Sequence, residues 1–251
     1  GFVTDVGGKT SHSAIVVRSM DIKAVVDARV SSQLVRQDDW VIVDGDAGVV
    51  IVDPSPIILA EYCYRQRQME LERERLTRLR HTPAITLDGQ RIELLANIEQ
   101  PSDAAVAVRV GAVGVGLFRT EFLFMGRHGR LPDEEEQYRA YREAVEGMQG
   151  LPVTIRTVDV GADKPLDKSH KESHLSPALG LRAIRWSLDD PAMFRVQLRA
   201  LLRAAMHGPV NVLFPMLAHT SEIRQTLAQV DLARAELQDR GQVCGPVRLG
   251  A

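Results

Sequence analysis

Short apolar runs and longer amphipathic stretches alternate along most of this chain, and the two spacings predict strands alternating with helices. Over residues 1–53 the runs are brief: Val25-Val26, then Trp40-Val41-Ile42-Val43, then Val49-Val50-Ile51-Val52. Residues 44–48, Asp-Gly-Asp-Ala-Gly, carry the turn chemistry of a hairpin between the last two. Pro54 and Pro56 close this first unit. Residues 57–80 are rich in Glu, Arg, Leu and Gln without Gly or Pro, the signature of one long helix. Glu61–Arg65 and Glu74–Arg78 are i,i+4 pairs in the favourable orientation, which suits a solvated helix face.

Beyond Pro83 the spacing predicts strand, loop and helix in repetition. Residues 94–98, 113–120, 153–158 and 210–216 read as strands, and residues 247–251 as the start of a fifth. Residues 101–110, 134–148 and 181–206 read as helix, the second with acidic residues in its first turn to complement the dipole. After residue 216, Ile223, Leu227, Val230 and Leu237 mark one face of a further helix. Strands alternating with helices imply an α/β fold with a parallel sheet. The expected division is 1–53, a linker helix over 54–82, and 83–251.

Composition adds little beyond a globular chain. Of 251 residues, 45% are hydrophobic and 25% charged, near the averages for folded domains. A formal charge of -2 argues against nucleic acid or an anionic membrane as partner. The sequence shows neither a membrane-spanning apolar run nor a signal peptide. Cys63 and Cys244 lack metal or redox spacing and read as incidental thiols, which points to a reducing, cytoplasmic setting.

The chemistry begins at Gly7-Gly8-Lys9-Thr10-Ser11-His12-Ser13. Two glycines let backbone N–H groups approach a ligand, and Thr10 and Ser11 add hydroxyl donors. The apolar run that follows suits a helix start, whose N-terminus attracts anions. His12 stands at that junction, and histidine is able to carry a covalent phosphoryl group. The same residues also fit a plain Gly–Gly turn, a helix cap and a surface histidine.

This block, continued by Ala14-Ile15-Val16-Val17-Arg18-Ser19, resembles the phosphohistidine motif of enzymes that use phosphoenolpyruvate (PEP). Lys23 and Asp27 depart from the Pro and Gly usual there. Gly116-Leu117-Phe118-Arg119-Thr120-Glu121-Phe122-Leu123-Phe124-Met125 and Leu131-Pro132-Asp133-Glu134-Glu135-Glu136-Gln137 resemble the enzyme I branch, the PEP–protein phosphotransferases of the bacterial phosphotransferase system. Ile155-Arg156-Thr157-Val158-Asp159 and Gly180-Leu181-Arg182-Ala183-Ile184-Arg185 continue the match, so the resemblance runs through the chain.

The resemblance implies a partial swivelling phosphohistidine domain, a linker helix, and the first half of a PEP-binding TIM barrel. Such barrels take about 250 residues and place their sites at the C-terminal ends of the strands. It implies that His12 takes the phosphoryl group from PEP and passes it to a small histidine-containing phosphocarrier protein. The resemblance implies a pathway of sugar uptake or of nitrogen regulation and leaves open which. It assigns PEP binding to Arg119 and Arg156, with Thr10, Asn97, Asp163, Lys164 and Arg182 assisting; Glu121 is a candidate buried partner of an arginine. It also implies Mg²⁺, with ligands on strands beyond Ala251, and a homodimer. On this reading the chain is an internal piece of a longer transferase, inactive alone. The alternatives are a relative of pyruvate phosphate dikinase or PEP synthase, and a non-catalytic piece.

Overall fold

The computed structural model describes residues 1–6, 22–29, 31–80, 82–124, 130–160 and 180–251. The chain divides into two compact units, Gly1–Leu79 and Arg80–Ala251.

In the first unit, β1 (Phe2–Val3) pairs in parallel with β2 (Ala24–Val25), and a one-turn helix α1 (Ser31–Leu34) follows. Strands β3 (Val41–Asp44) and β4 (Val49–Val52) form the antiparallel hairpin expected from the turn residues. Asp44 nucleates that turn: its carboxylate accepts from the N–H groups of Ala47 at 2.9 Å and Asp46 at 3.0 Å. The bond from Ala47 is the main reason its carboxyl is held below the ordinary range. Helix α2 (Pro56–Leu79) runs 24 residues with none buried, and Glu61 meets Arg65 at 2.8 Å on its surface.

Among the described residues, the second unit alternates strand and helix. Strand β5 (Ala96–Ile98) leads to α3 (Asp103–Arg109), and β6 (Val115–Arg119) leads through the single turn α4 (Glu121–Phe124) to α5 (Glu134–Gly147). Then follow β7 (Val153–Arg156), α6 (Ile184–Asp189), α7 (Pro191–Ala204), β8 (Val210–Leu213), α8 (Thr220–Asp239) and β9 (Val247–Gly250). The five strands lie in sequence order, β5-β6-β7-β8-β9, and every pairing is parallel.

Period-two alternation then sorts the side chains. Val153, Ile155, Val210, Val212 and Phe118 are buried, packed with α3, α5, α7 and α8 in one core. Thr154, Arg156, Asn211 and Leu213 alternate with them and are only half-buried. The Asn211 amide donates to Thr154 Oγ1 across that other face at 3.2 Å.

Two helix expectations are corrected. Residues 181–206 make two helices, because Asp190 caps α7 by accepting from Met193 N–H at 3.1 Å and Pro191 begins it. On α8 the buried positions are Thr226, Val230, Ala233 and Leu237, whereas Ile223 and Leu227 are exposed. The apolar stripe drifts around the helix, so in the first two turns Thr226, not Ile223 or Leu227, is the buried position.

Helices α5, α7 and α8 are tied by a carboxylate hub. Glu134 Oε2 accepts from Arg199 Nε at 2.7 Å and from Arg240 Nη1 at 3.2 Å, and its Oε1 accepts from Arg203 Nη1 at 2.9 Å. Arg199 also pairs with Glu236, and Arg203 with Glu135. Burial works to raise the Glu134 carboxyl, but the hydrogen bonds and charges of Arg199 and Arg203 outweigh it, leaving it below its ordinary 4.5. A carboxyl held lower in the folded chain contributes stability that is present above the unfolded value and lost as pH falls through the folded one. The urea midpoint of the full-length protein should therefore drop as pH is lowered below about 4.5. Glu134→Gln should lower the midpoint at pH 7 and flatten that acid slope. An unchanged slope in the variant would remove Glu134 from the account.

Candidate functional site

The C-terminal ends of β5, β6 and β7 bring together a set of paired arginines and carboxylates. Arg119 ends β6 and Arg156 ends β7, and the two are direct partners in the parallel register. On β7 apolar and polar positions alternate, Val153-Thr154-Ile155-Arg156, whereas on β6 Arg119 follows the buried Phe118 at the end of an apolar run.

Each guanidinium is braced by a different carboxylate. Arg119 Nη1 donates to Glu99 Oε1 at 2.9 Å, with Glu99 supplied by the loop after β5. Asn97 lies beside the same guanidinium: in the amide orientation that satisfies both neighbours, with its oxygen and nitrogen exchanged, it donates to the Leu117 carbonyl and accepts from Arg119 Nη2, both at 3.1 Å. Arg156 Nη2 donates to Glu121 Oε1 at 2.7 Å, and Arg156 Nη1 lies 3.5 Å from Asp159 Oδ2. The Glu121 side chain is 5% exposed and also accepts from the Asp159 N–H at 3.0 Å. Arg182 Nη2 donates to Asp159 Oδ1 at 2.9 Å. Three arginines therefore face three carboxylates. The carboxylates hold the guanidinium planes rather than fully consuming their donors, since each guanidinium has five N–H groups. Arg156 Nε is buried without a hydrogen-bond partner, as is Glu121 Oε2.

Beneath the arginines lies a buried polar cluster. Thr120 Oγ1 donates to the Arg156 carbonyl at 2.9 Å. Gln197, on α7, donates to Thr120 Oγ1 at 3.3 Å and to Tyr141 Oη at 3.0 Å, and accepts from Val158 N–H at 3.1 Å. Ala183, beside Arg182, and Met216, beyond β8, have φ of 50° and 63°. Such values cost energy for side-chain-bearing residues and gather at functional sites.

Of the residues singled out in the sequence, Asn97, Arg119, Arg156 and Arg182 are thus brought to one end of one sheet, and Glu121 is the buried partner of Arg156. Thr10, His12, Asp163 and Lys164 lie outside the described residues. The sequence reading missed Glu99, Thr120 and Gln197. Gln197 had a signal: it sits three or four residues from Met193, Phe194, Ala200 and Leu201, so it is a lone amide on the buried face of α7. Glu99 had none. Among the described residues, no three His, Cys, Asp or Glu side chains are placed to hold a metal ion. No described helix is long and apolar enough to cross a membrane.

Residues 73–251 match the PEP-binding domain of PEP-utilising enzymes, and residues 1–48 match their mobile domain. The chain belongs to the PEP-utilising enzymes. It is 63% identical over 254 residues to a phosphoenolpyruvate-protein phosphotransferase of Cupriavidus necator, covering all of this chain and 43% of that protein. A protein of the same name from Staphylococcus carnosus is 44% identical over 251 residues, again covering all of this chain and 44% of the relative. One from Geobacillus stearothermophilus is 47% identical over 228 residues, 91% of this chain and 39% of the relative. The chain thus spans less than half the length of these curated relatives. Within this PEP-utilising chain, the paired arginines fall in the segment matching the PEP-binding domain, and His12 falls in the segment matching the mobile domain.

Proposed function

We propose that the chain is part of a PEP–protein phosphotransferase that moves the phosphoryl group of PEP to His12. The observation that carries this is the pair of strand-end arginines in register, each oriented by its own carboxylate. PEP presents a phosphate and a carboxylate, and planar guanidinium forks match both. Arg119 and Arg156 bind these anionic groups, with Asn97 and Arg182 holding the arrangement and Thr10, Asp163 and Lys164 assisting.

In the reaction the P–O bond of PEP breaks as an imidazole nitrogen of His12 forms a P–N bond, and enolpyruvate leaves. The charge spread over the phosphoryl oxygens is what the arginines stabilise. His12 attacks through a neutral imidazole nitrogen, whose lone pair forms the P–N bond. The phosphoryl group then passes to a histidine-containing phosphocarrier protein, in sugar uptake or nitrogen regulation.

Five parallel strands in sequence order, packed with the helices of their own crossovers, support reading residues 83–251 as the first half of a (β/α)8 barrel. Residues 1–53 then belong to the swivelling phosphohistidine domain and 54–82 to the linker. The full-length protein is proposed to be a cytoplasmic homodimer that requires Mg²⁺. The described residues offer no carboxylate set that fits this ion.

The test is labelling of the full-length protein with PEP and Mg²⁺, followed by mass spectrometry under alkaline conditions that preserve phosphohistidine. The expected phosphate is on His12 alone, and a His12→Ala variant should take no label. Label retained in that variant would overturn the assignment.

A further inference from the structure

We infer that Gln197 is a positioning residue that sets Arg119 and Arg156 relative to each other from beneath, an inference that rests on the proposed reading of this site. Gln197 is fully buried on a helix face otherwise made of Met193, Phe194, Leu198, Ala200 and Leu201. A buried primary amide needs its donors and acceptor satisfied, and here all are engaged with the two arginine-bearing segments or their support.

The orientation of the amide is dictated by one contact. The group facing its Oε1 is the Val158 N–H, which is only a donor, so Nε2 must face the two hydroxyls. Each hydroxyl that accepts from Nε2 then turns its own proton outward. Thr120 gives its proton to the Arg156 carbonyl, and Tyr141 gives its to Gln137 Oε1 at 3.0 Å. Gln137 completes the chain by donating to the Pro132 carbonyl at 3.0 Å. Burial raises the Tyr141 phenol well above its ordinary range, so it stays a donor at every physiological pH.

The consequence is geometric. Thr120 follows Arg119 directly, and Val158 lies between Arg156 and Asp159. One side chain therefore grips the exit of β6 and the exit of β7 at once, and it does so with bonds of fixed direction. Catalytic groups displaced by about 1 Å lose up to about a hundredfold in rate. A side chain that bonds Thr120 at one exit and the Val158 N–H at the other, and is itself held by Tyr141 of α5, is placed to prevent that displacement.

The experiment compares full-length wild type with Gln197→Met, which keeps length and volume but removes every polar contact, and with Thr120→Val and Thr120→Ser. Two readouts are taken. The first is the rate of Arg156 modification by phenylglyoxal, followed by peptide mass spectrometry, which needs no turnover. The second is kcat and KM for PEP, measured below the melting temperature of each variant. Gln197→Met is expected to speed Arg156 modification several-fold and to lower kcat/KM by about ten- to a hundredfold, largely through KM. Thr120→Val should do the same and Thr120→Ser should restore wild-type behaviour, because only the hydroxyl carries the link. The two defects should not add in the double variant.

A folded Gln197→Met with wild-type Arg156 modification overturns the inference, whatever its melting temperature. If that variant does not fold, wild-type modification in Thr120→Val overturns it instead. Altered modification in a protein that takes no phosphoryl group from PEP upholds the positioning role and overturns the functional reading.

Discussion

Replacing Arg156 with lysine in the full-length protein is expected to lower kcat/KM for PEP by about 10²–10³-fold while the protein still folds. Lysine keeps the positive charge, so Glu121, with a side chain 5% exposed, is not left as an unpaired buried carboxylate. What disappears is the planar fork, which holds Glu121 with one nitrogen and approaches Asp159 with the other while presenting remaining donors to a ligand. An ammonium cannot hold both carboxylates and a phosphate in fixed directions. Arg156→Ala tests the other half of the argument. It strands Glu121 and should destabilise the unit by about 3–5 kcal/mol, as well as abolishing turnover. Arg119→Lys should follow the same pattern with less effect on stability, because its side chain is 42% exposed and Glu99 is more open than Glu121. Steady-state kinetics with PEP, read beside thermal unfolding, decides the matter. If Arg156→Lys were folded and retained kcat/KM within threefold of wild type, it would cease to be a PEP ligand.

The residue before Arg119 should behave in the opposite way. Phe118 is fully buried, lies in the central core, and meets the Tyr141 ring edge-on with centroids 6.1 Å apart. Phe118→Ala removes both the transfer of a large ring from water and the packing of the helix layer on the sheet. It is expected to cost about 3–5 kcal/mol. For a unit of this size each kcal/mol shifts the melting temperature by about 2–4 °C. Phe118→Leu, which refills most of the space, should cost clearly less. Calorimetry of the full-length protein should show the loss in the transition of the unit that holds β5 to β9. A shift no larger than that of Phe118→Leu would mean that the core closes over the gap and that this contact matters little.

The contrast between Phe118 and Arg119 illustrates what was legible in the chain. Arg119 was legible as the polar end of the apolar strand Val115-Gly116-Leu117-Phe118, whereas the burial of Phe118 against Tyr141 was not. The same local rules anticipated the hairpin at 44–48, the long helix over 57–80 and the alternating strands and helices, because turn chemistry and periodicity act within a few residues. The arginines were found by motif and by their place after apolar runs.

The unread part of the site lies in contacts between distant segments. Gln197 meets Thr120 across 77 positions, Arg156 meets Glu121 across 35, and Arg119 meets Glu99 across 20. No local rule states which carboxylate will face which guanidinium once five strands stack side by side. The same holds for α8, where Ile223 and Leu227 continue an apolar spacing yet stay exposed. Spacing defines a stripe, but only the neighbouring helices decide how much of it is covered. The sequence by itself determined the alternation of strands and helices, the family and the residue types at the strand ends. The tertiary structure decided which of those residues meet, since burial, hydrogen-bond direction and charge pairing are properties of the packed chain.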